Sequence, residues 1–102
     1  MVKKRISSER KKHPNLPAWT CALIAALRAD LRKVGIEAEV RCEKVTGVRA
    51  YRINVVAKDF KKLRFSERQS LAWRIAENAV GYDKLLRVVA IYTLTPEEVG
   101  GE

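Results

Sequence analysis

The stretch that decides the fold is Lys58 to Val80, KDFKKLRFSERQSLAWRIAENAV, in which a basic run leads directly into an amphipathic helix. Ser66 and Gln69 have the S-x-x-Q spacing of a capping box, so we expect the helix to begin near Glu67. Apolar residues then recur every three or four positions, and Gly81 supplies a C-terminal stop. The stretch therefore predicts a helix with one face in the core and a basic segment before it.

The basic side chains of this stretch form the candidate binding surface. They are Lys58, Lys61, Lys62, Arg64 and Arg68, with Phe60 and Phe65 between them, and Arg49 and Arg52 of the preceding strand extend the patch. Such side chains contact phosphates, and the amide end of a helix also favours an anion. The alternatives are a solvated basic face and phenylalanines that pack into the core instead of stacking on bases.

Length, composition and charge narrow the class of protein. A chain of 102 residues with 47% hydrophobic residues is one globular domain, and its net charge of +9 points to nucleic acid or an anionic membrane surface. No apolar run reaches the length of a membrane-spanning helix, so we expect no membrane partner. Cys21 and Cys42 form no CxxC pair, which argues against a disulfide framework or zinc site and favours a cytoplasmic location.

The first fifteen residues are predicted to be a flexible basic arm. They hold six Lys and Arg side chains against the single acid Glu9, which is more than half of the net charge. No apolar stretch typical of a signal peptide follows them. The arm either strengthens phosphate binding or only solubilises the chain, and its one histidine, His13, has no assigned role.

A first helix is predicted from Pro17, at the first helical position, to Val34, before the stop at Gly35. Its core side is expected to hold Leu16, Leu23, Leu27, Leu31 and Val34, with Trp19 and Ile24 at the margins. Cys21 falls on the opposite side of the helix, so we expect an exposed thiol, and a passive one because no histidine is available to activate it.

Three strands follow from the later patterns. From Ile36 apolar and charged residues alternate, which predicts a half-buried strand with Cys42 facing inward, and a turn at Thr46-Gly47 leads into a second strand, Arg49 to Ala57. Arg87 to Leu94 is rich in β-branched residues and predicts a third strand, buried on both faces and parallel to the second.

The whole pattern predicts an α+β domain with the order α-β-β-α-β-α. We expect a three-stranded mixed sheet with helices packed on one face, a single domain over residues 16–99 and a tail over residues 100–102. Thr95, Pro96 and Glu98 carry the cap, proline and glutamate of a helix start, so a short terminal helix is expected.

The sequence resembles the BolA-like family over roughly residues 18 to 98. The resemblance lies in FKKLRFSERQSLAW, where Phe60, Arg64, Phe65, Arg68 and Trp73 match the family's arginine-histidine-arginine segment and later aromatic, and in RVVAIYTLTPEE, which is similar to the family's last strand and exit. It implies a class II KH-like fold. Lys62, Gln69 and Ser70 depart from the family pattern, and the segment gains positive charge.

A further departure concerns the family's iron-sulfur chemistry. The resemblance implies a histidine at the start of the last strand that ligates a cluster shared with a monothiol glutaredoxin, but Arg87 holds that position. A guanidinium has no lone pair to donate to iron. The family's second ligand, in the loop between the first two strands, has no clear counterpart, since Cys42 reads as an inward strand residue. We therefore expect no cofactor and no metal.

Two functions remain open on these residues. The first is a nucleic-acid-associated regulatory protein that contacts DNA or RNA through the basic residues named above. The alternative is an adaptor that docks a monothiol glutaredoxin or a similar iron-sulfur trafficking partner. An enzyme is not expected, because the sequence has no histidine-based dyad and no phosphate-binding glycine loop. The GxxG clamp of KH domains is also absent.

Overall fold

A computed structural model describes residues 16–100 and confirms the predicted α+β class with a three-stranded mixed sheet. The predicted arm, with His13, and residues 101–102 lie outside the described residues. The elements are α1 (Ala18–Lys33), β1 (Glu39–Lys44), β2 (Tyr51–Val56), a 3-10 helix (Lys58–Lys62), α2 (Phe65–Val80), α3 (Tyr82–Leu85), β3 (Val88–Leu94) and α4 (Pro96–Val99). None of the helices in this part of the chain is long and apolar enough to cross a membrane.

Helix α1 buries one side against the sheet. Leu23, Leu27 and Leu31 are fully buried, as the leucine spacing predicts. Cys21 is exposed, which confirms the prediction of an exposed thiol. Trp19 packs edge-on against Tyr51 of β2, with 5.5 Å between the ring centroids, so the start of the helix is fixed on the central strand.

The two ends of α1 differ from the prediction. Pro17 is the residue before the helix, with an extended backbone whose carbonyl accepts hydrogen bonds from the amide and the hydroxyl of Thr20. Val34 is 59% exposed, so its predicted place in the core is wrong. The helix ends at Lys33, and the chain then turns through Gly35, whose φ of +86° is readily adopted only by glycine.

Strands β1 and β2 form the predicted antiparallel hairpin. Val40 lies opposite Val55, and Cys42 lies opposite Ile53. Val40 and Cys42 are buried, which confirms the inward position of Cys42. The first strand begins at Glu39 rather than at Ile36, although Ile36 is buried as the alternation requires.

Strand β3 pairs parallel to β2 and lies at the edge of the sheet. Val88, Ile91 and Thr93 are buried, whereas Val89 and Tyr92 are 60% and 44% exposed. The prediction that β3 is buried on both faces is therefore wrong. The reason is that α1 packs on β1 and α2 packs on β3 from the same side, which leaves the other face of the sheet uncovered.

The chain leaves the sheet through the predicted capping box. The Thr95 hydroxyl accepts the amide of Glu98 at 3.3 Å, and a carboxylate oxygen of Glu98 accepts the amide of Thr95 at 2.8 Å. Pro96 is the first residue of α4. The short helix is thereby fixed at the end of β3, next to the basic residues described below.

Candidate nucleic-acid interface

The basic segment, residues 58–65, occupies the 3-10 helix and the first residue of α2. Phe60 anchors it, since its side chain is fully buried and its carbonyl accepts the amide of Leu63 at 3.1 Å. Leu63 packs on the core and Arg64 has the extended backbone of a helix cap. An apolar anchor within the segment therefore holds the charged residues outward on a defined scaffold.

The start of α2 is capped differently from the prediction. The helix begins at Phe65, two residues before the expected position, and the Glu67 carboxylate accepts the Arg64 amide at 2.8 Å. Ser66 and Gln69 do not form the predicted box. A glutamate three residues after the cap satisfies the same orphan amide and adds a negative charge near the positive end of the helix.

Four of the predicted cations project into solvent from this segment: Lys58, Lys61, Lys62 and Arg64. Lys61 is 3.6 Å from Glu97 of α4, and Lys62 is 3.8 Å from Asp59. A backbone hydrogen bond, followed by the Lys61 charge, lowers the pKa of Glu97. Exposed pairs at these distances contribute little and exchange readily with other ions, so both lysines can reach a phosphate.

Arg68 does not belong to this surface, which corrects the sequence prediction. Only 8% of the residue is exposed. Its guanidinium donates to the carbonyl oxygens of Phe60 at 3.0 Å and Thr93 at 3.2 Å, and to the Glu98 carboxylate at 3.1 Å. It also lies 5.6 Å from the centre of the Phe60 ring. Arg68 therefore joins the 3-10 helix, β3 and α4, and its burial keeps it out of the binding surface.

Gln69 is a structural residue that sequence reasoning assigned to the wrong hydrogen bond. Its amide nitrogen donates to the Ile91 carbonyl at 2.8 Å and to the Thr93 hydroxyl at 3.0 Å, and its oxygen accepts the Trp73 indole N–H at 3.2 Å. Arg68 bonds to the Thr93 carbonyl beside it. Consecutive side chains of α2 thus occupy edge carbonyls of β3, an arrangement for which the sequence has no local signal.

One of the two phenylalanines packs into the core, and the other is exposed where it can stack on a base. Phe60 is fully buried, so it packs into the core, whereas Phe65 is 62% exposed. The first residue of a helix has no turn before it to cover its ring. Phe65 therefore presents an aromatic face to solvent within four residues of Lys61, Lys62 and Arg64.

Arg49 and Arg52 are not brought together with the basic segment. Arg49 precedes β2 and Lys58 follows it, so they are at opposite ends of a strand about 20 Å long. Arg52 lies on the uncovered face, and its guanidinium is 3.0 Å from Glu43. Arg49 instead shares the far end of the sheet with Arg87, whose carbonyl accepts the amide of Tyr51 at 2.8 Å.

That far end forms a second basic cluster: Lys44, Arg49, Lys84 and Arg87. All four are exposed, and none forms an ion pair within residues 16–100. The two connections that carry them, residues 44–50 and 82–87, contain one acid, Asp83. The cluster is visible only in the fold, because the hairpin turn and the start of β3 are far apart in the sequence.

The position expected to correspond to the family's iron ligand is exposed and cationic in this chain, since Arg87 stands directly before β3. Cys42 is buried, and burial, followed by the nearby Cys21 and Glu43, raises the pKa of its thiol to about 11. A thiol in that environment stays protonated and is a poor metal ligand. Within residues 16–100 no group of three or more His, Cys, Asp or Glu side chains is placed to hold a metal ion.

A shallow groove of about 340 Å³ runs beside the basic segment. Its lining combines the first three turns of α2 with the preceding loop: Leu63, Ser66, Glu67, Ser70, Leu71 and Arg74. Hydroxyl groups and one arginine face an exposed glutamate there. The exposed Glu67 disfavours an anion there, so the groove is not part of the candidate binding surface.

Comparison of the chain with protein-family models and with curated proteins finds no match. The resemblance to the BolA-like family therefore stays a prediction from the residues that carry it.

Proposed function

We propose that this chain is a cytoplasmic, nucleic-acid-associated regulatory protein that binds single-stranded DNA or RNA through the basic segment. The observation that carries the proposal is the exposure of Phe65, which is 62% exposed and directly follows a run with four exposed cations. Exposed aromatic rings beside cations are typical of surfaces that bind single strands. The BolA-like resemblance and the net charge of +9 agree with this assignment.

The chemistry of the segment favours single strands over duplex. Lysine and arginine neutralise phosphates of either form, which gives affinity without sequence preference. An aromatic ring gains a further stack of about 1–3 kcal/mol only where a base is unpaired. Phe65 therefore favours the single strand, and the fixed scaffold around Phe60 limits the entropy lost on binding.

The test is a titration of labelled single-stranded and duplex oligonucleotides at physiological salt. One variant changes Lys61, Lys62 and Arg64 to alanine, and a matched control changes three exposed helical cations, Arg28, Lys33 and Arg74. The control removes the same number of positive charges and one exposed ion pair, that of Lys33 with Asp30 at 3.4 Å. The test variant removes two exposed pairs, those of Lys61 with Glu97 and of Lys62 with Asp59.

We expect the wild type and the control to bind the single strand more tightly than duplex, and the test variant to lose most of that binding. Phe65→Leu should weaken single-strand binding about 5- to 150-fold and leave duplex binding unchanged. Equal loss in both triple variants would show that net charge alone is responsible and would contradict the proposal.

A second candidate function is docking of a monothiol glutaredoxin-like partner without a shared cluster. It is favoured by the exposed apolar side chains on either side of Arg87, since Leu86 and Val89 are 66% and 60% exposed. Sedimentation of the mixed proteins tests it. A complex that is lost in Leu86→Ser would support docking, and no complex would remove this candidate.

A further inference from the structure

The uncovered face of the sheet carries a row of side chains with the chemistry of a base platform. Arg41 of β1 lies opposite Asn54 of β2, and Asn54 lies opposite Tyr92 of β3. Directly opposed residues on neighbouring strands are about 5 Å apart, so the three side chains stand side by side. A guanidinium, an amide and an aromatic ring are thus aligned across the middle of the open face.

Two side chains of this row, those of Asn54 and Tyr92, are available to contact a ligand. Tyr92 is 44% exposed although it lies within a strand, because no helix covers this side. Within residues 16–100, the side-chain hydrogen bonds of this face join Arg41 to Glu39 and Arg52 to Glu43, and neither involves Asn54 or Tyr92. The ring and the amide are free to contact a ligand.

The positive charges around the row are spread along the sheet, so they complement an elongated polyanion better than a compact ligand. Lys58 lies just beyond one end of β2, and Arg49 and Arg87 lie at the other end, about 20 Å away. Between them Arg41 and Arg52 pair with exposed glutamates at 2.9 Å and 3.0 Å. Exposed pairs of this kind exchange at little cost, so both guanidinium groups can turn to phosphates.

From this arrangement we propose that a single strand of nucleic acid crosses the open face from the basic segment to the second basic cluster, with one base stacked on Tyr92. Asn54 faces the edge of that base, and Arg41 contacts the adjoining phosphate. The inference rests on the proposed function and extends it from one end of the sheet to the whole face. A mixed path of cations and a free aromatic ring fits a single strand better than an apolar protein surface.

The experiment compares Tyr92→Leu and Tyr92→Phe for binding of a labelled 12-nucleotide single strand at physiological salt. Tyr92→Phe is the matched control because it keeps the aromatic ring at the same position and removes only the hydroxyl group. We expect Tyr92→Leu to bind about 5- to 150-fold more weakly, and Tyr92→Phe to bind as the wild type does. Equal binding by Tyr92→Leu would overturn the inference, as would equal loss in Tyr92→Phe.

A second measurement does not depend on the folding of a variant. In the wild-type protein, stacking should shift the ring proton resonances of Tyr92 upfield as the oligonucleotide is added, and unchanged resonances would overturn the inference. A change of oligomeric state in Tyr92→Leu would also overturn it, since a second copy would then be what covers the face. If binding is lost in the variant with Lys61, Lys62 and Arg64 changed but is kept in Tyr92→Leu, the proposed function stands and only this extension is removed.

Discussion

The guanidinium of Arg68 shows how a side chain expected on the surface can instead hold the fold together. It donates to two carbonyl groups and one carboxylate from three different segments. We predict that Arg68→Ala lowers the free energy of unfolding by about 2–4 kcal/mol, because buried acceptors lose their partner. Urea denaturation measures this loss.

The control for Arg68→Ala is Arg74→Ala, which removes an exposed arginine from the same helix and should change stability by no more than about 0.5 kcal/mol. Equal stability of the two variants would contradict the structural role of Arg68.

Glu98 makes the stability of the fold depend on pH in the acidic range. The Thr95 amide, followed by Arg68, lowers the pKa of Glu98 below its usual value of 4.5. A lowered folded-state pKa means that the stabilisation is complete above pH 4.5 and is lost as the pH falls through the folded-state pKa. We predict that the wild type melts at a higher temperature than Glu98→Gln at pH 7 and that the difference shrinks below pH 4.5. A constant difference across that range would contradict the assignment.

At the scale of elements, side chains of α2 occupy two carbonyl groups on the open edge of β3, those of Ile91 and Thr93. Edge carbonyls left open are a template for association with other chains, and side chains that occupy them prevent it. We predict that Gln69→Leu lowers the free energy of unfolding by about 1–3 kcal/mol, since the Ile91 carbonyl and the Trp73 indole lose their partner. Ser70→Ala, at the next and exposed position, should be neutral in the same denaturation experiment. Equal stability of the two variants would argue against this role.

The order of the elements could be predicted because it depends on local periodicity. Leu23, Leu27 and Leu31 recur at helical spacing, and apolar and charged residues alternate along β1. The pattern within each element therefore indicates which of its faces is buried. The roles of Arg68 and Gln69 could not be predicted in the same way. They depend on which strand lies beside α2, and that partner is more than twenty residues away in the sequence.

The candidate site was predicted in part for the same reason. Lys58, Lys61, Lys62 and Arg64 lie within one stretch of seven residues and remain together, whereas Arg49 joins Arg87 only after the sheet has formed. The open face also escaped prediction. The β-branched run of β3 is typical of a strand buried on both faces, and only the placement of both long helices on one side leaves Tyr92 exposed.

At the scale of the whole molecule, two basic ends lie on either side of an uncovered sheet face. The net charge of +9 alone would draw any polyanion to the surface. Binding at the basic segment requires more than net charge, namely that particular cations contact phosphates. Such contacts release counterions, so each one adds about 0.7 to the slope of the logarithm of the binding constant against the logarithm of the salt concentration for a single strand.

The most direct measurement is therefore this salt slope for a 12-nucleotide single strand, with the wild type and with Lys61, Lys62 and Arg64 changed to alanine. Three lost phosphate contacts should make the slope shallower by about 2, while the control with Arg28, Lys33 and Arg74 changed should keep the slope of the wild type. Equal slopes for all three proteins, or a loss in the control alone, would contradict the assignment of nucleic-acid binding to the basic segment.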